Sequence, residues 1–277
     1  MKLIALGGPS PAYLLLRMVA LWYALADRTT AAVIRRFHRQ RGAAPRGRDV
    51  YRHVYAFGES MIDGYAFLYR RKSPFTFSYD GEEHFNEALR KGKGLILLTA
   101  HMGNWEIAGN LLFDRLNTPV NFIMLDETSE RMRRVFSGAL ERRRISIIPV
   151  TPDPVSIMVQ VRTVLARNEI LCVVGDRYSG GEQTRELPFF GRPAKFPSGP
   201  FVFSAITGAP LIAVFSMKRG PGHYHMNVSG TMEVRRHDKA GRDAAIDGAM
   251  RAYVGLLEAQ VRAYPYQWFN LYDYWGT

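Results

Sequence analysis

Five short apolar runs recur between Leu95 and Met217: 95–100, 120–125, 145–150, 170–175 and 211–217. Runs of this length, apolar at consecutive rather than alternate positions, mark strands buried on both faces. Between several of them, 105–116, 130–142 and 154–168 carry helical spacing. Strands alternating with helices predict an α/β fold, a mostly parallel sheet flanked by helices. Thr76 to Tyr79 alternates like a short strand closed by Asp80-Gly81, and 82–91 reads as a helix stopped by Gly92 and Gly94. Residues 223–229 and 231–235 read as a late hairpin, followed by a helix over 244–263.

The N-terminal part has a different pattern. Pro11 to Ala26 is apolar and aromatic, with Leu14, Met18, Leu21, Trp22 and Leu25 at helical spacing. Arg17 interrupts it and Asp27-Arg28 close it, so it falls short of the roughly 20 apolar residues that a spanning helix needs. It also lacks the basic n-region and cleavage site of a signal peptide. An amphipathic or buried helix is expected. Arg35, Arg36, His38, Arg39, Arg41, Arg46, Arg48 and Arg52 follow. An apolar, Trp/Tyr-bearing helix beside a polybasic stretch suits a peripheral protein on anionic lipid; a core helix followed by a solvated charged loop has the same pattern. Gly42 to Arg48 is linker-like, and 50–69 reads as a two-faced helix with Val54, Phe57, Met61, Tyr65 and Leu68 apolar. The expected organisation is an N-terminal helical, membrane-associating segment over 1–75 and an α/β core over 76–277.

Composition narrows the class. The 277 residues hold 37 Lys+Arg against 25 Asp+Glu, a net charge of +12, with 47% hydrophobic residues and one cysteine. The apolar content is too high for a disordered chain. A single cysteine excludes a disulfide framework and any multi-cysteine metal site, and suits a reducing compartment. Cys172 lies inside an apolar run and reads as core packing. His223 and His225 share a strand face but have no visible third ligand, so no metal is expected. Gly180-Gly181 and Gly220-Pro221-Gly222 lack the spacing of a phosphate loop. The positive excess calls for a polyanionic partner; no nucleic-acid-binding motif accompanies it, and the apolar N-terminus fits lipid better.

The chemistry concentrates in Thr99-Ala100-His101-Met102-Gly103-Asn104-Trp105-Glu106. Sites in open α/β sheets gather at the carboxyl ends of strands, and His101 follows a buried run directly. Gly103 permits a sharp turn, and Asn104 suits the N-cap of a helix starting at Trp105. On one helix His101 and Glu106 would point about 140° apart; a strand–turn–helix break lets Glu106 fold back toward the imidazole. Such a carboxylate fixes a base's tautomer and stabilises its protonated form. A satisfied core histidine followed by a first-turn acid has the same spacing.

The HMGNWE stretch, His101 to Glu106, resembles the H-x4-D/E motif of the glycerolipid and lysophospholipid acyltransferases, in the form typical of the late acyltransferases of bacterial lipid A biosynthesis. Asp176-Arg177, the Leu187 to Ala194 block with Phe189-Phe190-Gly191, Ser198-Gly199-Pro200 and Thr207-Gly208-Ala209-Pro210 resemble further blocks of that branch, in order. The resemblance implies His101 as general base and Glu106 as its orienting partner. It implies an acyl-carrier-protein or coenzyme A thioester as donor, a lipid or glycolipid hydroxyl or amine as acceptor, and no bound cofactor. Asn104, Asp176 and Arg177 follow as substrate-binding positions, Asp176 also reading as a cap for the turn at 179–181. Backbone N–H groups near Gly103, or an arginine, would stabilise the oxyanion. One of Arg131, Arg133, Arg134, Arg142, Arg143 and Arg144 would meet substrate.

The tail from Tyr264 to Trp275 departs from the branch's ending: Asn270 and an aromatic, acidic stretch stand where WFH and basic residues are usual. That departure leaves the acceptor open, with phosphatidylinositol mannosides, amino-acid lipids and aryl polyene precursors beside lipid A. A thioesterase using the dyad on water, and a non-enzymatic membrane- or carrier-binding protein, are the competing readings. The expected location is the cytoplasmic face of the bacterial inner membrane, bound peripherally.

Overall fold

The computed structural model describes residues 10–69, 75–105, 107–108, 116–125, 145–151, 153–178, 182–234 and 239–276. Three helices open the chain: α1 (Ser10–Ala26), α2 (Arg28–Gln40) and α3 (Gly47–Tyr69). The α/β part follows as β1 (Thr76–Asp80), α4 (Glu83–Leu89), β2 (Leu95–Thr99), β3 (Val120–Leu125), β4 (Ile145–Val150), α5 (Pro154–Ala166) and β5 (Ile170–Val174). The hairpin β6 (Thr184–Phe189) and β7 (Arg192–Pro197) comes next, then α6 (Gly199–Thr207), β8 (Leu211–Gly220), β9 (His223–Val228) and α7 (Lys239–Ala263).

Seven strands form one sheet in the order β1-β9-β8-β2-β5-β3-β4. Every pair is parallel except β8–β9. The expected parallel sheet is therefore present, with one antiparallel step. Alternate residues of the central strands face opposite layers, as the pleat requires. Ile96 and Leu98 of β2, with Leu171 and Val173 of β5, pack under α5, α6 and α7. Leu95, Leu97, Ile170 and Cys172 pack with Phe85 and Ala88 of α4 and with Ala66 and Phe67 of α3. Cys172 is core, and burial pushes its thiol up to about 12.

The late hairpin is corrected in one arm. β9 pairs antiparallel with β8 and parallel with β1, but 231–234 is not a strand and meets the sheet through a single bridge, Met232 to Leu211. The edge of β9 was already taken by β1. The Phe189-Phe190-Gly191 block forms the β6–β7 turn, with φ of 54° at Phe190 and 73° at Gly191, the left-handed pair that a two-residue hairpin loop favours. The helices expected at 105–116 and 130–142, and the arginines over 131–144, lie mostly or wholly outside the described residues.

The N-terminal helix leaves its apolar stripe uncovered by protein. The face at Leu14, Met18, Leu21, Trp22 and Leu25 points outward, whereas Leu16 and Ala20 are buried. The opposite side docks, with Leu16 seated over Gly58 of α3. Among the described residues no helix is long and apolar enough to cross a membrane.

Two buried histidines lie where α2 and α3 meet the tail, His38 with its ring centre 5.3 Å from that of Tyr266. His53 Nε2–H donates to the Trp268 carbonyl at 2.8 Å, and Arg41 Nε donates to His38 Nδ1 at 2.9 Å. Burial first, then the Arg41 charge, lowers His38 to about 4, against an opposing pull from Asp49. Burial, with His38 and Arg41 adding to it, lowers His53 to about 3 despite the bond to Trp268. Both folded values lie below the roughly 6.5 of an unfolded histidine. The unfolded chain therefore binds more protons as pH falls from about 6.5 toward 4 and 3, and stability is lost across that window. His53→Gln should reduce the slope of unfolding free energy against pH by up to about 1.4 kcal/mol per pH unit between pH 4 and 6. Denaturant unfolding at a series of pH values measures it; an unchanged slope would exclude His53 from the acid response.

Candidate active site

β2 and β5 are adjacent and parallel, with Thr99 opposite Val174. Their carboxyl ends therefore deliver His101 and Asp176 side by side from positions 75 residues apart. Asp176 Oδ1 accepts from His101 Nδ1 at 2.8 Å, and the His101 backbone N–H lies 3.0 and 3.1 Å from the two carboxylate oxygens. Oδ2 also accepts from Trp268 Nε1 at 2.9 Å and Asn270 Nδ2 at 2.8 Å. Asp176 is fully buried, its carbonyl accepting from Tyr274 Oη at 2.9 Å.

Burial alone would raise the Asp176 pKa. The His101 and Arg177 charges and the bonds from the His101 ring and backbone outweigh it, holding the carboxyl below the usual aspartate range. An ionised carboxylate only accepts, so the His101 nitrogen facing it carries a proton, and in the neutral ring Nε2 is the nitrogen with the lone pair. The imidazole is the exposed member of the pair, its side chain 28% accessible against 0% for Asp176. This arrangement can take a proton from a bound hydroxyl and stabilise the positive charge that results.

The turn after His101 is held from three sides. Gly103 has a φ of 59°, and a Cβ there would lie 2.0 Å from the Ser216 carbonyl oxygen, so only glycine fits. Gly103 N–H donates to Gln267 O at 2.7 Å, and Asn104 N–H to Ser216 O at 2.8 Å. Ser60 of α3 donates to Gly103 O at 2.8 Å. Asn104 is the N-cap that its position suggested: Oδ1 accepts from Ile107 N–H at 3.1 Å, and Nδ2 donates to Ser60 O at 2.8 Å. Because the N–H groups of Gly103 and Asn104 are committed, they are not free to meet an oxyanion. Arg177 is tied to the tail, through Asn270 and the Phe269 carbonyl, with its guanidinium 5.6 Å from the Tyr272 ring centre.

Glu106, the expected partner of His101, lies outside the described residues, as does the turn at 179–181. Sequence reasoning missed Trp268 and Asn270. Asn270 stood out only as a departure from a familiar ending, and here it bonds both Asp176 and Arg177. His223 and His225 are engaged with Thr76, Ser78 and Asp80. Among the described residues no three His, Cys, Asp or Glu side chains group as a metal site.

Known proteins are similar to this chain in sequence. The chain is similar to a phosphatidylinositol mannoside acyltransferase of Mycobacterium tuberculosis (strain ATCC 25618 / H37Rv), 26% identical over 200 residues, covering 70% of this chain and 58% of the relative. A protein of the same description from Mycolicibacterium smegmatis (strain ATCC 700084 / mc(2)155) is 25% identical over 196 residues, covering 70% and 60%. The chain thus spans about three fifths of the length of the curated relatives it matches. Residues 64–277, which include the whole sheet and the buried Asp176, match the pattern of bacterial lipid A biosynthesis acyltransferases, and the chain belongs to that family.

Proposed function

We propose that this chain transfers a fatty acyl group from an acyl-carrier-protein or coenzyme A thioester to a hydroxyl of a membrane glycolipid. The observation that carries the reading is the His101–Asp176 pair at adjacent strand ends, with the carboxylate buried and the imidazole accessible. His101 Nε2 takes the proton of the acceptor hydroxyl as its oxygen attacks the thioester carbonyl. The C–S bond breaks, and the leaving thiolate recovers a proton from the imidazolium. Asp176 holds the tautomer and offsets the transient charge. The resemblance gives the orienting role to Glu106; the bond from the His101 ring to the Asp176 carboxylate supports Asp176 in that role. Family membership and the relatives' description as phosphatidylinositol mannoside acyltransferases support a glycolipid acceptor.

His101→Ala should lower acyl transfer by on the order of 10²–10⁴, the range for a lost positioned base. Asp176→Asn should lower kcat comparably and KM little, because the tautomer rather than binding is lost. Thermal melts separate chemistry from unfolding in both. An active His101→Ala protein would refute the mechanism. A Glu106→Gln protein more impaired than Asp176→Asn would return the orienting role to Glu106. Release of free fatty acid with no acylated lipid product would identify a thioesterase instead.

The same reading places α1 on the inner leaflet of the inner membrane, as a peripheral contact. Leu14, Leu15, Met18, Trp22 and Leu25 are 58–75% exposed on this one helix. Exposed Arg28, Arg35 and Arg39 stand on the helix that follows. Lipid solvates the first group and anionic headgroups the second. Trp22 fluorescence should shift on adding vesicles that contain phosphatidylglycerol, and less so in high salt. Leu15→Glu with Leu25→Glu should weaken binding roughly tenfold or more per site; unaltered binding would place the membrane contact elsewhere.

A further inference from the structure

A cleft of about 860 Å³ opens between α1, α3, the β8–β9 turn and the tail, within the several-hundred-Å³ range of small-molecule sites. Its charge is uneven. Lys218 is internally neutralised: Nζ lies 3.0 Å from Glu59 Oε1 and 2.6 Å from Asp63 Oδ2, a carboxylate buried behind the wall that also accepts from Tyr13 and Tyr224. Arg17, Arg52 and Arg219 have no carboxylate within ion-pair distance among the described residues, although all three line the cleft. The Arg52 guanidinium sits 5.7 Å from the Tyr266 ring centre, and Arg219 Nε donates to Tyr264 Oη at 2.9 Å. These neutral contacts orient two of the cations without discharging them.

The two ends of the cleft differ. Leu14 lines it and is 66% exposed on the outward apolar face of α1, so the opening is continuous with the lipid-facing surface. The other end reaches Gly103. Two residues of chain span at most about 7 Å, so the Gly103 end of the cleft lies within that distance of the His101 backbone.

We propose that this cleft seats the phosphate-diester headgroup of the lipid acceptor. Its phosphate meets Arg17, Arg52 and Arg219, its polyol extends toward Gly103, and its tails stay with α1 in the bilayer. Guanidinium groups suit phosphate because they offer paired donors that stay charged. A fatty acyl coenzyme A also carries phosphates, but its acyl chain lies beyond the reacting carbonyl, on the side away from them, whereas here the apolar border is at the Leu14 end and the Gly103 end is the one near His101. The proposal rests on the acyltransferase reading and deepens it by naming the acceptor's charged class and its seat.

Titration of the full-length protein with glycerophosphoinositol, a tail-free phosphate-diester headgroup, tests it directly. Binding should be measurable and should weaken roughly tenfold or more for each arginine lost in Arg52→Gln with Arg219→Gln, since hydrogen bonds between charged partners are the strong ones. Both side chains are exposed, so the variant is expected to fold, and a thermal melt verifies it. In turnover with a phosphatidylinositol-based acceptor, KM for the acceptor should rise in the variant while KM for the thioester stays. Equal headgroup affinity in the two proteins would overturn the proposal. So would displacement of the headgroup by coenzyme A, which would make the cleft the donor's seat, or inorganic phosphate binding as tightly, which would make it a bare anion site. Failure here leaves thioester turnover intact. A wild-type protein that binds the headgroup yet transfers no acyl chain instead refutes the function proposed above.

Discussion

A carboxylate with no access to water must have its charge met by protein groups, and Asp176 is such a carboxylate. The His101 ring and backbone, Trp268 and Asn270 supply the donors, from the end of β2 and from the tail. Removing any one leaves a buried charge short of a partner, so the tail has to close over the sheet in one position. The Trp268 carbonyl in turn accepts from His53, and Phe269 N–H donates to His101 O at 2.7 Å. Helix α3, the tail and the turn after β2 are therefore parts of one hydrogen-bonded unit around a single buried charge.

The sheet makes that unit possible. β2 and β5 run parallel and in register to Thr99 and Val174, so both chains leave the core at one level and on one edge. Tyr253 of α7 donates to Thr99 O at 2.7 Å and fixes the last residue of β2. A Cβ on Gly175 would approach the Tyr253 ring to 2.9 Å, so the start of the Asp176 turn is shaped by the helix beneath it. The polar site is thus supported by apolar packing on both sides.

Much of this was legible. Strands over 120–125 and 145–150 begin and end where their apolar runs do. Three other runs differ from their strands only at the C-terminal end: 95–100 and 170–175 overshoot by one residue, and 211–217 stops three residues short. The signal is strongest for the central strands, which are buried on both faces and have no alternation to confuse; the edge strand over 145–150 is only partly covered. Asn104 caps the following helix as its type and place suggest. The pattern in α1 left open whether protein or lipid covers the apolar stripe, because spacing reports only that apolar residues share a side; in the structure that stripe faces outward. The arm at 231–235 was misread because pairing depends on which edges are vacant, and β1 had filled the edge of β9.

The partner of His101 shows where sequence reasoning ends. Local spacing offered Glu106, five residues away. The tertiary structure brings in Asp176 from 75 residues away and completes its shell with Trp268 and Asn270 from more than 90 residues beyond that. The sequence by itself determined an α/β class, a basic chain with an apolar first helix, and a histidine at a strand end, because periodicity, charge and turn residues act locally. Only the tertiary structure decided that Asp176 bonds the imidazole and that Arg17, Arg52 and Arg219 line one cleft, because strand order and tail closure decide which distant side chains share a site.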